Sequence, residues 1–353
     1  MILSAGIAVP PRVLVSVILL ISGCVRPVDA FRCAGTDQCT SDGVCQNNGF
    51  CSFADNRCPS GQSYGAASGA LSGVCVGDEP VDGGSGGEPP PCDPAKPFGD
   101  PVLVDGVASA FEDASMRLSP DEKTAYFFSA RTGTKLLYTA SRASATARFA
   151  NVTVLANVNT DNQYNPAITA DGLNLFFASY RASGLGDNDI YQATRSSPTG
   201  DFADVRLAPN VNTSASEVQP YVTRDGTTMY FTRTAMATGD TVFRAVGSVT
   251  RGFTNPAPVA ELDGPTNDSD PVITSDGLTL FWSTDRPGGM GELDVWQARR
   301  SSATAAFTDL APVTAVNSPA FDSPSDVSAD GCRLYLTSTR GGRTAIFVAT
   351  RPP

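Results

Sequence analysis

The 353-residue chain contains no histidine. That absence excludes Ser-His-Asp and Cys-His hydrolases, His-ligated zinc and imidazole acid–base chemistry. Any catalysis would fall to carboxylates, Tyr, Lys or a metal site without His. Charge is sparse, at 17% of residues, and basic charge is the scarcer kind: 25 Lys and Arg against 36 Asp and Glu, a net charge of −11. A nucleic-acid partner usually asks for the opposite sign and is not expected. Long apolar runs are also lacking. Residues 13–21 (VLVSVILLI) are too few to span a bilayer, and no later segment is apolar enough. What remains is a foldable composition, 41% hydrophobic, with 33 Gly and 26 Pro. Such frequent turns suit many short strands better than long helices.

The short apolar run follows Arg12 and leads into Ile21-Ser22-Gly23-Cys24. Its length is that of a signal-peptide h-region. Small residues directly before a cysteine resemble the bacterial lipobox. The resemblance implies a signal peptide over 1–23, lipidation of Cys24 and an anchor in the cell envelope. Several acyl chains on one residue hold a protein stably where one chain would not.

Nine cysteines are present. Without Cys24, eight are left, an even number that implies disulfides in an exported chain. Cys33, Cys39, Cys45, Cys51, Cys58 and Cys75 fall in a short head, 24–75, with few large apolar residues. A core that small needs staples. The spacing does not choose among the pairings. Residues 76–97 (VGDEPVDGGSGGEPPPCDPAKP) have the composition of a linker. Cys92 and Cys332 remain, and a bridge between them would tie the end of the linker to the last repeat.

Residues 98–353 repeat themselves. LSPDEKTAYFFS, ITADGLNLFFAS, VTRDGTTMYFTR, ITSDGLTLFWST and VSADGCRLYLTS recur every 50–54 residues. Their turn aspartates are Asp121, Asp171, Asp225, Asp276 and Asp330. Asp-Gly supplies a tight hairpin, with Gly accepting positive φ. The first repeat has Glu122 in place of Gly, so its turn is expected to differ. Each unit adds a third strand (LLYTASR, DIYQATR, TVFRAVG, DVWQARR, AIFVATR). A fourth opens with Phe149, Phe202, Phe253 or Phe307. Four short strands per repeat predict an all-β, five-bladed β-propeller. The fifth unit lacks its fourth strand, and the Phe-led segment from Phe98 supplies one. An N-terminal strand would thus close the ring and leave no open edge.

The pattern P-x-x-T-x-D-G-x-x-L-F-F, read from Pro166 with variants from Pro220 and Pro271 and followed by D-I-Y or D-V-W, resembles the TolB-like, WD-repeat-like (Pro-Asp) propeller repeat. With the lipobox, the cysteine-rich head and the linker, the chain is similar to lipoproteins common in myxobacteria and related Gram-negative bacteria, which implies an outer-membrane location. The resemblance implies a tendency to bind proteins. It does not carry over the TolB role, because no α/β domain precedes the blades.

Eight residues before the turn aspartates stand Asp113, Gln163, Glu217, Asp268 and Asp322. Four of the five are acidic, at the entry to the innermost strand. They are candidates for a channel-mouth site, either for a divalent cation or as a glycosidase acid pair. Set against this is a purely structural role, each acid pairing with a neighbouring basic group. Asp187, Asp189, Glu292 and Asp294 are expected on a solvated rim. Trp282 and Trp296 are expected in the core. The functional expectation is a monomeric, non-enzymatic scaffold without a cofactor that presents its propeller to an envelope protein or a glycan. The alternative is a carboxylate glycosidase.

Overall fold

The computed structural model describes residues 92–353 apart from 156, 161, 236–238 and 263, and, nearer the N-terminus, residues 39, 43–46, 51–56, 58, 60, 62–64 and 76. Residues 1–23, where a signal peptide is expected, and Cys24, Cys33 and Cys75 lie outside the described residues. Two compact units emerge, residues 1–87 and 88–353. Their division falls inside the stretch that composition marks as linker. Among the described residues there are strands, turns and bends but no helix.

In the first unit, β1 (Val44–Cys45), β2 (Cys51–Ala54) and β3 (Gln62–Tyr64) form an antiparallel sheet in that order. Cys39 is bonded to Cys51 with their Cα atoms 5.7 Å apart. Cys45 and Cys58 are also disulfide-bonded. The Ser52 hydroxyl is fully buried and donates to Gln62 Oε1 at 2.8 Å. Sulfur and polar contacts among Gln46, Ser52 and Gln62 stand here where a larger domain would place aliphatic side chains.

The second unit opens with β4 (Val102–Leu103). Sheet I contains β5 (Asp113–Leu118), β6 (Thr124–Ser129), β7 (Leu136–Ser141) and β8 (Ala150–Val154). Sheet II contains β9 (Gln163–Ile168), β10 (Asn174–Ser179), β11 (Asp189–Thr194) and β12 (Ala203–Leu207). Sheet III contains β13 (Ser216–Val222), β14 (Thr228–Ala235), β15 (Gly239–Ser248) and β16 (Gly252–Pro258). Sheet IV contains β17 (Asp268–Ile273), β18 (Thr279–Thr284), β19 (Asp294–Arg299) and β20 (Thr308–Pro312). Sheet V contains β21 (Asp322–Val327), β22 (Arg333–Ser338) and β23 (Ala345–Thr350), with β4 as its fourth strand. All are antiparallel. Each first strand touches the first strand of the next sheet, and β21 touches β5, so the contacts form a cycle. This is the arrangement of a β-propeller.

The second strands hold the sheets together. Phe127 of sheet I packs with Tyr335 and Ile346 of sheet V. Tyr126 and Phe128 face Leu175 and Phe177 of sheet II. Phe176 meets Met229 and Phe231 of sheet III. Tyr230, Phe281, Trp282 and Leu334 share one cluster across sheets III, IV and V. Burial on both faces explains why these strands are nearly continuous apolar runs. Trp282 is fully buried and Trp296 nearly so.

The closing strand pairs Leu103 with Phe347 and Val102 with Val348. A ring contact confirms the phase of the repeat. Arg142, Arg195 and Arg300, which follow third strands, lie over Phe149, Phe202 and Phe307 at 4.3, 4.3 and 4.6 Å. Arg351 lies over Phe98 at 3.9 Å. Phe98 therefore does for sheet V what its counterparts do within their own sheets. Cys92 and Cys332 form a disulfide, 240 residues apart in sequence. The Asp93 amide also donates to the Pro352 carbonyl at 3.0 Å, so the end of the linker is fastened to the C-terminus.

Candidate functional site

The turn aspartates are structural. Each accepts a hydroxyl two residues earlier, from Ser119, Thr169, Thr223, Thr274 or Ser328. Each also accepts the amide two residues later, at 2.9–3.1 Å. The Ser119 hydrogen bond holds the Asp121 carboxyl below the usual carboxylate range. Gly172, Gly226, Gly277 and Gly331 follow with φ of 69–70°. Glu122 adopts φ 55° in the same place, where a non-glycine residue is strained.

The four acids at the strand entries are buried: Asp113, Glu217, Asp268 and Asp322 are at most 2% exposed. Each meets an arginine from the end of the second strand: Arg131 at 2.8 Å, Arg233 at 2.7 Å, Arg286 at 3.2 Å and Arg340 at 2.6 Å. The same guanidinium groups donate to the carbonyls of Val107, Val211, Leu262 and Val316 in the preceding connection. They also lie over aromatic rings, as Arg233 does over Phe243 at 4.3 Å. Gln163 has no charge to pair. It donates to Ser179 Oγ at 3.2 Å, and Arg181 keeps the carbonyl contact to Val158. None of these five positions lines the axial pocket. The acids and arginines instead clamp each connection to its sheet. Among the described residues no group of three or more Cys, Asp or Glu side chains is arranged to hold a metal.

The solvated-rim expectation holds for Asp187 and Glu292, which are exposed, and fails for Asp189 and Asp294. Those two are at most 2% exposed. Asp189 Oδ2 accepts the amides of Leu185 and Gly186, and Asp294 Oδ2 those of Met290 and Gly291. A side chain on Gly184 or Gly289 would place its Cβ 2.2 or 2.1 Å from that oxygen. The glycines of these loops make room for a buried carboxylate.

The groups that face the axis come from a different position, two residues into each first strand. Ser115, Asn165, Gln219 and Asp270 have φ of 52–56°, each at a break in the register with the second strand. Such bulges re-aim a side chain. Asn165 donates to Ser115 Oγ at 2.9 Å, and the Ser115 amide to Thr337 Oγ1 at 2.9 Å. The Asp270 amide donates to Gln219 Oε1 at 3.2 Å. These residues, with Ser323, floor a pocket of about 410 Å³ that also touches Glu112, Phe128, Glu292 and Phe321. Burial, set against hydrogen bonds from Ser323 and Ser283 and the charge of Arg117, pushes the Asp270 carboxyl up to about 6.

Two residues further along the same strands stand Arg117, Tyr221 and Asp326. The Arg117 guanidinium lies 5.0 Å from the Tyr221 ring centre. Burial lowers the Arg117 pKa, and it raises those of Tyr221 and Asp326. Sequence reasoning missed this set, because these positions carry a different residue in each repeat. The expected basic partner of each acid is the arginine at the end of the second strand, a position that all five repeats fill with Arg but that the spacing of the acids does not point to.

No protein-family model matches the chain, and no curated protein does. Solved structures resemble it in fold alone. The endo-arabinase of Bacteroides thetaiotaomicron superposes with a TM-score of 0.50 at 14% identity, covering 71% of this chain and 98% of that one. The α-L-arabinofuranosidase of Podospora anserina gives 0.49 at 12% identity, covering 74% and 99%. TolB of Acinetobacter baumannii gives 0.42 at 16% identity, covering 70% of this chain. The chain spans 57% of the length of that TolB.

Proposed function

We propose that the chain is a lipoprotein anchored in the bacterial cell envelope through Cys24, whose five-bladed propeller binds a protein or glycan without chemistry. One observation carries this reading. In antiparallel sheets, the connections into the first strand and those between the second and third strands lie at the same end. Phe111, Tyr180, Leu185 and Met290 sit in such connections and are 52, 64, 60 and 51% exposed. They share that end with the axial pocket. Exposed apolar side chains gathered at a polar depression are characteristic of interaction sites. The commitment of Asp113, Glu217, Asp268 and Asp322 to arginines also supports the reading, since it occupies the four acids that the sequence offered for a cation or an acid pair. The test is a Leu185→Arg/Met290→Arg variant, whose loss of binding to envelope fractions is expected with an unchanged melting temperature. Unchanged binding would contradict the reading.

A second reading rests on Asp270. A carboxyl whose titration is raised toward neutrality beside an open pocket has the character of a glycosidase general acid. Glu112 and Glu292 border the same pocket. Hydrolysis of arabinan or another plant glycan, lost in Asp270→Asn, would favour the enzyme.

A further inference from the structure

The channel has a second cavity, at the end where the hairpin turns lie. It measures about 20 Å³ and is bounded by Arg117, Tyr221, Arg224 and Asp326 together with apolar side chains of the first strands. Arg117 is only 4% exposed. Its Nη2 donates to the Pro220 carbonyl at 3.4 Å. Its Nε and Nη1 are buried and meet no acceptor among the described residues. A buried charged donor left in that state is costly.

Asp326 attracts Arg117 through its charge but accepts from neither free donor. Oδ2 of Asp326 accepts the Leu118 amide at 2.8 Å and Oδ1 accepts its neighbour Val327 at 2.9 Å. That carboxylate is spent on backbone amides. The charged lining is the Arg117 and Arg224 guanidinium groups and the Asp326 carboxylate, and the buried Asp270 carboxylate acts on Arg117 from beyond the lining. We propose that Arg117 binds a single small anion of chloride size in this cavity.

Size and donors agree on that occupant. The volume admits about one water-sized species. A polyatomic sugar or nucleotide does not fit. A cation meets the wrong sign. A water molecule would accept from these donors but bring no charge to the guanidinium, and it is the alternative occupant that the test distinguishes. The anion would occupy the free donors of Arg117, fixing β5 against β13 and β21 at the axis.

Two measurements test this on the folded propeller. Crystals grown in sodium bromide should show an anomalous peak within hydrogen-bonding distance of Arg117 Nε or Nη1. Density at that point without anomalous signal means water and overturns the proposal. In solution, replacing chloride by gluconate at constant ionic strength should lower the melting temperature of the wild type. Arg117→Met should lose that dependence. An equal chloride response in both proteins, or none in the wild type, contradicts the proposal. If Arg117→Met does not fold, the bromide crystals of the wild type decide alone.

Discussion

Glu122 and Arg333 join the first sheet to the last: Nη2 and Nε of Arg333 donate to the two carboxylate oxygens of Glu122 at 2.6 and 2.9 Å, from 211 residues away. The Tyr335 hydroxyl adds a third hydrogen bond at 2.8 Å, and Arg142 donates to the Glu122 carbonyl at 2.6 Å. Glu122 is also the residue that replaces glycine in the first Asp-Gly turn. The backbone strain at this turn is offset by a buried, charge-assisted contact across the junction where the ring closes. The carboxylate holds the Arg333 pKa above its ordinary value.

Removing the Glu122 side chain leaves Arg333 without its principal buried partner. Glu122→Ala is expected to cost roughly 3–5 kcal/mol, the range for breaking one side of a buried pair. Urea denaturation with an unchanged m-value checks this. Glu122→Gly relieves the φ strain but loses the same contact, so it should still be destabilising. A Glu122→Gly protein as stable as wild type would show that the turn, not the junction, sets the energetics.

The Cys92–Cys332 bridge constrains the unfolded chain over a 240-residue separation. Cys92→Ser with Cys332→Ser is expected to lose about 2–5 kcal/mol. Peptide mapping of the non-reduced wild type should recover the two cysteines in one linked fragment. Recovery of either as a free thiol would contradict the assignment.

The acid–arginine clamps predict a cost with no gain of function. Glu217→Gln should lower stability by roughly 1–3 kcal/mol through a weakened charge-assisted hydrogen bond. Calcium titration by calorimetry should give no binding heat in either protein. Heat in the wild type that Glu217→Gln abolishes would restore a cation site at these positions.

Asp270 supplies a pH dependence whose sign is fixed. Its carboxyl titrates near 6 in the folded chain, against an ordinary value of 3.8. Between these values the native state binds more protons than the unfolded state, so stability falls as pH rises. The loss is complete above pH 6 and on the order of 2–3 kcal/mol. Asp270→Asn should remove that slope between pH 4 and 6.5 in denaturant melts. An identical slope in both proteins would assign the titration elsewhere.

The repeats made the sheets legible because each one spells the same turn and the same buried second strand. Phe98 could be placed in the last sheet because it matched Phe149, Phe202, Phe253 and Phe307. Roles that depend on the side chain's direction were less legible. Asp189 and Asp294 look solvent-facing among their glycines, yet those glycines let the carboxylate turn inward. The axial residues were hidden by their diversity. Ser115, Asn165, Gln219 and Asp270 share only a backbone conformation, which is not spelled by one residue type. The sequence also did not reveal that Glu122 had been recruited by the last sheet, because its partner is so distant in the chain.

The proposed engagement of a partner uses the end of the propeller that carries the axial pocket. Site-specific photo-crosslinking in intact cells tests it most directly, with the crosslinker placed at Leu185 or Tyr180 on that end and at Ser275 beside a turn on the other. A discrete crosslinked species is expected from Leu185 and Tyr180 and none from Ser275. Crosslinking from Ser275 with none from Leu185 and Tyr180, or equal crosslinking from both ends, would contradict it.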